Sequence, residues 1–259
     1  MQKIGIVGLG FVGGALMKSF KEKKIYVIGY DKYKNNGIGD IKETLNTDIC
    51  FLCLPTIFGG NGYDLSSFVE LLGYYDSNKY NGVIVIKSTL APNTCNKFIK
   101  KYMNLTIVHN PEFLSAKTAY YDFHNQKHIV IGGNNEVLFN FYKTNYPQAE
   151  ISVMTPTESE CLKISANSFY AVKIQFFNEI YNMCEKLNDC EYNVIKDGII
   201  KNGWVNKQHT SVPGSDGKLS YGGACFPKDA NALLHYMMNE DIYCKVLKAT
   251  VVENEEMRN

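Results

Sequence analysis

Apolar residues in the first part of the chain fall into short runs that are separated by amphipathic stretches. The runs are rich in β-branched residues and apolar at successive positions, which is typical of strands covered on both faces. Strands are predicted at Ile4–Val7, Ile25–Tyr30, Ile49–Leu54, Val83–Lys87, Thr106–His109, Ile129–Ile131 and Ile151–Val153. Helices are predicted between them, near 12–23, 65–73, 93–101, 112–120 and 135–143. This alternation indicates an α/β fold with a Rossmann-like, doubly wound parallel sheet.

The pattern changes at Thr155, where a helical period begins that continues to about Leu187. Thr155 and Glu158 have the spacing of a capping box, and Pro156 takes the first helical position. Two more helices are predicted near 226–238 and 242–256. We therefore predict a dinucleotide-binding domain at 1–154 and a helical central domain at 155–259, built on one long helix. The length and apolar stripe of that helix favour a homodimer that forms through it.

Charge and composition narrow the possible partners. The formal net charge is +1, so no broad positive field would attract nucleic acid or an anionic membrane. No apolar run approaches the roughly 18 residues that span a bilayer, and the chain begins directly with a strand pattern. We therefore expect a cytoplasmic protein that binds neither nucleic acid nor membrane. Its eight cysteines are scattered, so most are expected to be reduced thiols.

Two further features of composition limit the chemistry. Cys50 and Cys53 form a C-x-x-C pair, but they lie in an apolar strand and no second pair completes a zinc site. They are expected to pack in the core, and no metal site is predicted.

Arg258 is the only arginine of the chain. A bound diphosphate must therefore be held by lysines, backbone amides and helix N-termini.

The sequence G-L-G-F-V-G at 8–13 follows the first predicted strand and opens the first predicted helix. This context is the one in which such a motif binds a dinucleotide. Gly8 permits a tight turn, and Gly10 lets the backbone approach a pyrophosphate. Gly13 allows close packing of the helix on the strand. The helix N-terminus then presents its unpaired amides to the phosphates.

Asp31 ends the second predicted strand, close to the spacing of about 20 residues at which a carboxylate binds the adenine ribose. A carboxylate repels a 2′-phosphate, so NAD is predicted rather than NADP, although Lys32 and Lys34 weaken this preference. Ligands bind such sheets beyond the carboxyl ends of the strands. The segments that end the third and fourth predicted strands are therefore expected to line the cofactor groove. The predicted cofactor contacts are Gly8, Gly10, Phe11, Val12, Gly13, Asp31, Pro55, Thr56, Ser88 and Thr89.

The segment Y-G-G-A-C-F-P-K-D at 221–229 holds the most informative cysteine. Its two glycines allow close approach of the backbone to a ligand, and Cys225 precedes a predicted helix. A helix N-terminus and the neighbouring Lys228 both favour a thiolate. Cys225 alone among the eight cysteines has such an environment in the sequence, which makes it the candidate nucleophile.

Five motifs, in order along nearly the whole chain, resemble those of the UDP-glucose/GDP-mannose dehydrogenase family. They are G-L-G-F-V-G at 8–13, K-S-T at 87–89, N-P-E-F-L at 110–114, L-K-I-S-A-N at 162–167 and G-G-A-C-F-P-K-D at 222–229. The resemblance implies oxidation of a nucleotide-sugar C6 alcohol to a carboxylate, with two NAD reduced. Phe226 after the cysteine favours UDP-glucose over GDP-mannose, with UDP-glucuronate as the product.

The resemblance also implies roles for individual residues. Cys225 would form a thiohemiacetal and then a thioester. Lys163 and Asn167 are four residues apart, so they share one helix face and would bracket the substrate oxygen. The remaining catalytic residues, Asp229, Glu112 and Thr89, would handle protons and position water. The implied substrate contacts are Glu112, Phe113, Leu114, Lys163, Asn167, Tyr221, Gly222 and Gly223.

The chain departs from the family pattern in three places. Ser115–Lys117 stands where many members carry a further glutamate. Lys201–Trp204 stands where many members carry an arginine that reaches the partner subunit's site. A third, UDP-binding domain would be expected after the last predicted helix. Two alternatives therefore stay open: a two-electron β-hydroxyacid-type dehydrogenase that does not need Cys225, and a non-catalytic protein that binds a nucleotide sugar or NAD.

Overall fold

The computed structural model describes residues 2–258. The chain forms two compact units. The first comprises Met1–Ile57 and Tyr63–Lys163, and the second comprises Phe58–Gly62 and Ile164–Asn259. Within the described residues, no helix is long and apolar enough to cross a membrane.

The first unit contains a seven-stranded sheet of order β2-β1-β3-β4-β5-β6-β7. Its strands are β1 (Ile4–Val7), β2 (Val27–Tyr30), β3 (Ile49–Leu52), β4 (Val83–Ile86), β5 (Thr106–His109), β6 (His128–Gly132) and β7 (Glu150–Met154). Five neighbouring strands pair in parallel, in the order β2, β1, β3, β4 and β5. The chain order reverses between β1 and β3, which is where sheets of this type bind ligands.

The sheet is mostly parallel, as the sequence predicts, and differs from the prediction in one strand pair. β6 runs antiparallel to β5, and the two strands pair only through His109 and Gly132. β7 is again parallel to β6. Apolar runs do not encode strand direction, because a strand covered on both faces has the same continuous pattern whichever way it pairs.

Helices cover both faces of the sheet. They are α1 (Phe11–Glu22), α2 (Ser66–Ser77), α3 (Thr94–Lys101), α4 (Ala119–His124) and α5 (Glu136–Asn145). Alternate strand residues face opposite sides, so Ile49 and Phe51 pack in one buried cluster with α1 and α5. Cys50 and Leu52 pack in the other cluster, with α2 and α3. This is the two-sided burial that the apolar runs predict.

The helix predicted at 112–120 is wrong, because α4 begins only at Ala119. Carboxylates take the backbone amides that would have started the earlier helix. The Leu114 amide donates to Glu112 Oε2 at 2.6 Å, and the Ser115 amide donates to Asp122 Oδ2 at 2.9 Å. The segment from Glu112 to Thr118 is therefore irregular and leaves its side chains at the carboxyl edge of the sheet.

The long helix predicted from Thr155 is confirmed as α6 (Pro156–Cys184). The Thr155 hydroxyl donates to Glu158 Oε2 at 2.8 Å and accepts from the Glu158 amide at 3.2 Å, which is a capping box. The first turns of α6 pack in the first unit, where the Cys95 amide donates to Glu160 Oε1 at 2.6 Å. The compact units therefore divide inside α6, at 163/164, later than the predicted domain boundary.

The second unit is helical. It contains the rest of α6 with α7 (Tyr192–Lys201), α8 (Phe226–Asn239) and α9 (Lys245–Arg258). Helices α6, α8 and α9 pack through a buried cluster that includes Ala171, Leu234 and Val251. α7 packs on α6 through Tyr192 and Phe177. The sequence did not predict α7, because Gly198 interrupts a short, largely exposed helix.

Candidate active site

The glycine turn at 8–13 has the close contacts that the motif requires. Gly8 has a φ of +86°, and a Cβ there would lie 2.4 Å from the Cys53 carbonyl oxygen. A Cβ on Gly13 would lie 1.8 Å from the Gly8 carbonyl oxygen. A Cβ on Gly10 would meet no atom within 4 Å. Gly8 and Gly13 are thus required by the fold, whereas the backbone at Gly10 borders open space.

The N-terminus of α1 is open to a ligand. Gly10 is its N-cap, and no side chain of the described residues 2–258 caps it. The first-turn amides, including those of Phe11 and Val12, stand at the positive end of the helix. These residues fit a dinucleotide pyrophosphate without any arginine.

Asp31 lies directly beside this turn. Its Oδ2 accepts the Leu9 amide at 2.7 Å, and its Oδ1 accepts the Lys34 amide at 2.9 Å. Burial opposes its ionisation, but hydrogen bonds from backbone amides outweigh burial, so the pKa of Asp31 is below its usual value. Lys34 Nζ donates to the Leu9 carbonyl at 2.5 Å, and Lys32 pairs with Glu70 at 3.5 Å. Asp31 is therefore a carboxylate, and the two lysines already have partners.

The loops that follow β3 and β4 are tied to each other. The Thr56 hydroxyl donates to the Thr89 carbonyl at 3.0 Å, and the Ser88 hydroxyl donates to the Leu54 carbonyl at 2.5 Å. The structure thus brings Pro55, Thr56, Ser88 and Thr89 together at the carboxyl edge of the sheet, where the sequence predicts cofactor contacts.

Glu112 and Lys163 form an ion pair inside the first unit. Lys163 Nζ lies 3.4 Å from Glu112 Oε1, and both side chains are largely buried. The ammonium also lies 5.1 Å from the centre of the Phe113 ring, while Leu114 holds the second Glu112 oxygen through its amide. Two residues to which the resemblance assigns catalytic roles, Glu112 and Lys163, are thus in direct contact with each other.

Lys87 holds the residues just before Glu112 through hydrogen bonds, a role that the sequence did not predict. Its buried Nζ donates to Asn110 Oδ1 at 2.9 Å and to the Pro111 carbonyl at 3.3 Å. Asn110 Oδ1 also accepts the Tyr142 hydroxyl at 2.5 Å. Burial lowers the pKa of Lys87 to about 8. The K-S-T motif indicated a strand end, but nothing in its letters showed that the lysine turns inward.

His109 is fully buried and neutral. His109 Nε2 lies 3.2 Å from the Ser88 carbonyl oxygen. Because a carbonyl oxygen can only accept, Nε2 carries the ring proton and donates this hydrogen bond. Nδ1 therefore accepts the Ser159 hydroxyl at 2.8 Å. Burial, together with the charges of Lys87 and Lys163, lowers the pKa of His109 to about 3.

We expect His109 to make the protein sensitive to acid. Its pKa lies below the ordinary 6.5, so the unfolded chain binds the extra proton and stability falls as pH drops from 6.5 towards 3. The loss is about 2 kcal/mol by pH ~5. Urea unfolding at several pH values measures it. His109→Gln should flatten this dependence, whereas His128→Gln at an exposed site should not; equal slopes in all three proteins would contradict the assignment.

The candidate nucleophile lies in the second unit. Cys225 is exposed and is the N-cap residue of α8. One turn on, the buried Asp229 accepts the Asn167 amide group at 2.6 Å on Oδ2. Lys228 Nζ lies 2.5 Å from Asp229 Oδ1. Asp229 thus holds Asn167 in place, and the Lys228 charge that the sequence associated with the cysteine is directed at Asp229.

The loop that leads to Cys225 is more ordered than its glycines suggest. Tyr221 is buried, and its hydroxyl donates to the Thr250 carbonyl at 3.3 Å. Its side chain belongs to the core of the second unit, so a substrate contact of Tyr221 would have to use the backbone. Gly222 lies against Arg258, and Gly223 has a φ of +82°. The place of Arg258 beside this loop has no signal in the local sequence.

Comparison with known protein families separates these units into two named domains. Residues 34–150 match the NAD binding domain of the UDP-glucose/GDP-mannose dehydrogenase family. Residues 157–256 match the central domain of the same family. The chain belongs to the UDP-glucose/GDP-mannose dehydrogenase family. It therefore carries the family's NAD-binding domain, and the glycine turn at 8–13 and Asp31 precede the matched range.

Relatives of this family share between a quarter and a third of the aligned residues. A UDP-glucose 6-dehydrogenase of Rickettsia bellii is 34% identical over 230 residues, which are 83% of this chain and 51% of the relative. A UDP-glucose 6-dehydrogenase of Bacillus subtilis is 26% identical over 300 residues, covering the whole chain and 64% of the relative. The chain spans about half the length of the Rickettsia relative.

Solved structures of two kinds of dehydrogenase share the fold. A UDP-glucose dehydrogenase of Pyrobaculum islandicum superposes with a TM-score of 0.87 at 22% identity, covering 99% of this chain and 68% of that chain. A 3-hydroxyisobutyrate dehydrogenase of Mycobacterium tuberculosis superposes with a TM-score of 0.75 at 15% identity, covering 99% of this chain and 93% of that chain. In the described residues, no cluster of metal-binding side chains occurs.

Proposed function

We propose that this chain provides the NAD-binding and nucleophile-bearing parts of a UDP-glucose 6-dehydrogenase, which makes UDP-glucuronate. The observation that carries the proposal is the exposed Cys225 at the start of α8, with the Asn167–Asp229 pair one turn behind it. Membership of the family and relatives named UDP-glucose 6-dehydrogenase support the substrate.

The first oxidation converts the C6 alcohol to an aldehyde. The glycine turn at 8–13 and Asp31 would hold NAD, which would supply the hydride acceptor. The alcohol loses its proton as the hydride leaves, and the Lys163 ammonium stabilises the developing negative charge on oxygen. Glu112, which lies 3.4 Å from Lys163, holds that ammonium in place. Asn167 is held by Asp229 and donates a second hydrogen bond to the same oxygen in this proposal.

The second oxidation needs a nucleophile. The carbon of a free aldehyde carries no oxyanion that could expel its hydrogen as a hydride, and addition of a nucleophile creates one. The Cys225 thiolate adds to the aldehyde carbon and forms a thiohemiacetal. Loss of a second hydride from that carbon gives a thioester. Water, deprotonated with the help of Asp229 or Glu112, then releases the carboxylate and the thiol. One alcohol, two NAD⁺ and one water give one carboxylate, two NADH and three protons.

The experiment that tests the proposal is NADH formation by the purified protein with UDP-glucose, UDP-N-acetylmannosamine or GDP-mannose. We expect two NADH per sugar with UDP-glucose and less turnover with the other two. Turnover with another sugar alone would reassign the substrate. Saturable binding of UDP-glucose without NADH formation would favour the non-catalytic alternative.

We also propose that two copies associate through α6, in a cytoplasmic protein. Phe169, Phe176 and Met183 recur every seven residues on α6 and are 61%, 52% and 47% exposed. Residues at this spacing lie on one helix face, and an apolar stripe of this size is typical of a helix–helix interface. None of the eight cysteines forms a disulfide in the described part of the chain, as is usual in a reducing compartment.

The interface is tested by Phe176→Glu. Burying a carboxylate at the centre of the stripe costs more than the contact returns, so we expect the dimer to dissociate at micromolar concentration. Sedimentation velocity measures the change. Val246→Glu, at an exposed apolar position on α9, is the matched control and should stay dimeric. A wild-type monomer, or a Phe176→Glu dimer, would refute this interface.

A further inference from the structure

Arg258, the only arginine of the chain, holds the loop that leads into Cys225. Its Nη1 donates to Asp216 Oδ2 at 2.8 Å, and its Nη2 donates to the Ser220 carbonyl at 3.0 Å. The two acceptors are four residues apart in one loop. The guanidinium makes the two bonds from two separate nitrogens of one rigid plane, whereas a lysine ammonium would have to make both from a single nitrogen.

Ser220 is the point at which the loop is fixed. It is buried and has a φ of +58°, a left-handed conformation that a residue other than glycine adopts only when its surroundings impose it. Its amide donates to Asn178 Oδ1 at 2.9 Å, and its hydroxyl donates to Gln175 Oε1 at 2.5 Å. Both partners lie on α6, so one side of the loop is held by that helix.

Helix α9 holds the other side. Asn254 Nδ2 donates to the Ser220 hydroxyl and to the Tyr221 carbonyl, each at 2.7 Å. Arg258 follows one helical turn later and takes the Ser220 carbonyl. Every polar group of Ser220 thus has a side-chain partner from α6 or α9. A buried residue whose polar groups are all hydrogen-bonded favours a single conformation of its backbone.

Gly222 completes the arrangement. A Cβ at this position would lie 2.4 Å from Arg258 Nη1 and 2.6 Å from its Cζ. The absence of a side chain at 222 is therefore what lets the guanidinium lie against the loop backbone. A side chain here would force the guanidinium to shift away from its present place beside Asp216 and Ser220. Cys225 follows shortly after this contact, at the end of the same loop.

We propose that Arg258, with Asn254, is a positioning residue that fixes the backbone from Ser220 to Gly223 and thereby places Cys225 at the start of α8. Arg258 acts through the loop and does not touch the reacting atoms. This inference rests on the proposed function for its catalytic consequence, but the placement of the thiol is measurable without catalysis.

The test compares Arg258→Ala, Gly222→Ala and the double variant, with Lys248→Ala at an exposed position of α9 as control. The rate at which iodoacetamide alkylates Cys225 is followed by peptide mass spectrometry across pH. We expect alkylation to shift to higher pH in both single variants, because a displaced Cys225 loses the favourable field of the helix N-terminus. The double variant should match the single variants, since each breaks the same contact.

Steady-state kinetics give a second measurement on the same proteins. We expect kcat to fall about 10- to 100-fold in both single variants, with NAD affinity unchanged. Millimolar methylguanidinium should restore Arg258→Ala but not the double variant, in which the methyl group introduced at position 222 fills the space. A merely structural role would lower the thermal midpoint without this selective rescue.

The outcomes separate the two proposals. If wild type forms no NADH but the alkylation profile shifts as expected, the proposed function fails and the positioning role stands. Wild-type alkylation profiles in Arg258→Ala, or effects of the two substitutions that add in the double variant, would overturn the role of Arg258.

Discussion

Cys225→Ala is expected to abolish the second oxidation and to lower the overall rate on the order of 10³-fold or more. Without the thiol, the aldehyde cannot form the thiohemiacetal from which the second hydride leaves. NADH formation should therefore not exceed one per sugar. The measurement is the ratio of NADH to sugar consumed, together with a search for the enzyme-bound thioester in wild type after rapid acid quenching.

Cys244→Ala is the matched control for this prediction. Cys244 lies in the same unit as Cys225 and is only partly buried, but it packs against the apolar cluster between α6, α8 and α9. It should retain the wild-type ratio of two NADH per sugar. Full activity of Cys225→Ala, at one NADH per turnover, would instead support a two-electron dehydrogenase of the β-hydroxyacid type.

Gly13→Ala and Gly10→Ala are expected to damage the first unit in different ways. The methyl group at 13 would lie 1.8 Å from the Gly8 carbonyl oxygen, so the turn and α1 must move apart. Such overpacking costs about 3 kcal/mol of unfolding free energy and should remove NAD binding with it. The methyl group at 10 meets no protein atom within 4 Å, so stability should change little. NAD affinity should nevertheless fall at least ~10-fold, because the methyl fills the path of the pyrophosphate.

Thermal unfolding and calorimetric titration with NAD separate the two effects. Gly14→Ala is the control, since its methyl group would lie 3.6 Å from the Leu9 carbonyl oxygen, an ordinary van der Waals contact. We expect it to bind NAD normally and to gain a few tenths of a kcal/mol from the better helix propensity of alanine. Wild-type NAD affinity in Gly10→Ala would mean that the pyrophosphate does not pass over this turn.

The sequence was sufficient for features that local chemistry determines. The capping box at Thr155 and Glu158, the glycine turn, and the strands with two buried faces all follow from short-range patterns, and the structure contains each of them. Strand direction at β6 and the late start of α4 depend on contacts between distant residues. Asp122 takes the Ser115 amide across seven positions, and no periodicity records such a bond.

The candidate site divides in the same way. Motifs named Cys225, Lys163 and Asn167, whose chemistry is visible in the residue types. The supporting residues were missed, because Lys87, Ser220 and Arg258 act through burial and through bonds that join parts of the chain far apart in sequence. For Tyr221 the motif predicts a ligand contact but does not show that the side chain packs in the core, which leaves the backbone as the group that could make the contact.

The buried Lys87 can serve as a chemical probe of local opening in this protein. With a pKa of about 8, a sizeable fraction of its amine is unprotonated at mildly alkaline pH, so the group is intrinsically ready to react with an acylating reagent. Only the enclosure by Asn110, Pro111 and their neighbours protects it. The rate at which acetic anhydride acetylates Lys87 would therefore report how often the segment that carries Glu112 opens. A ligand that holds this segment closed would lower that rate.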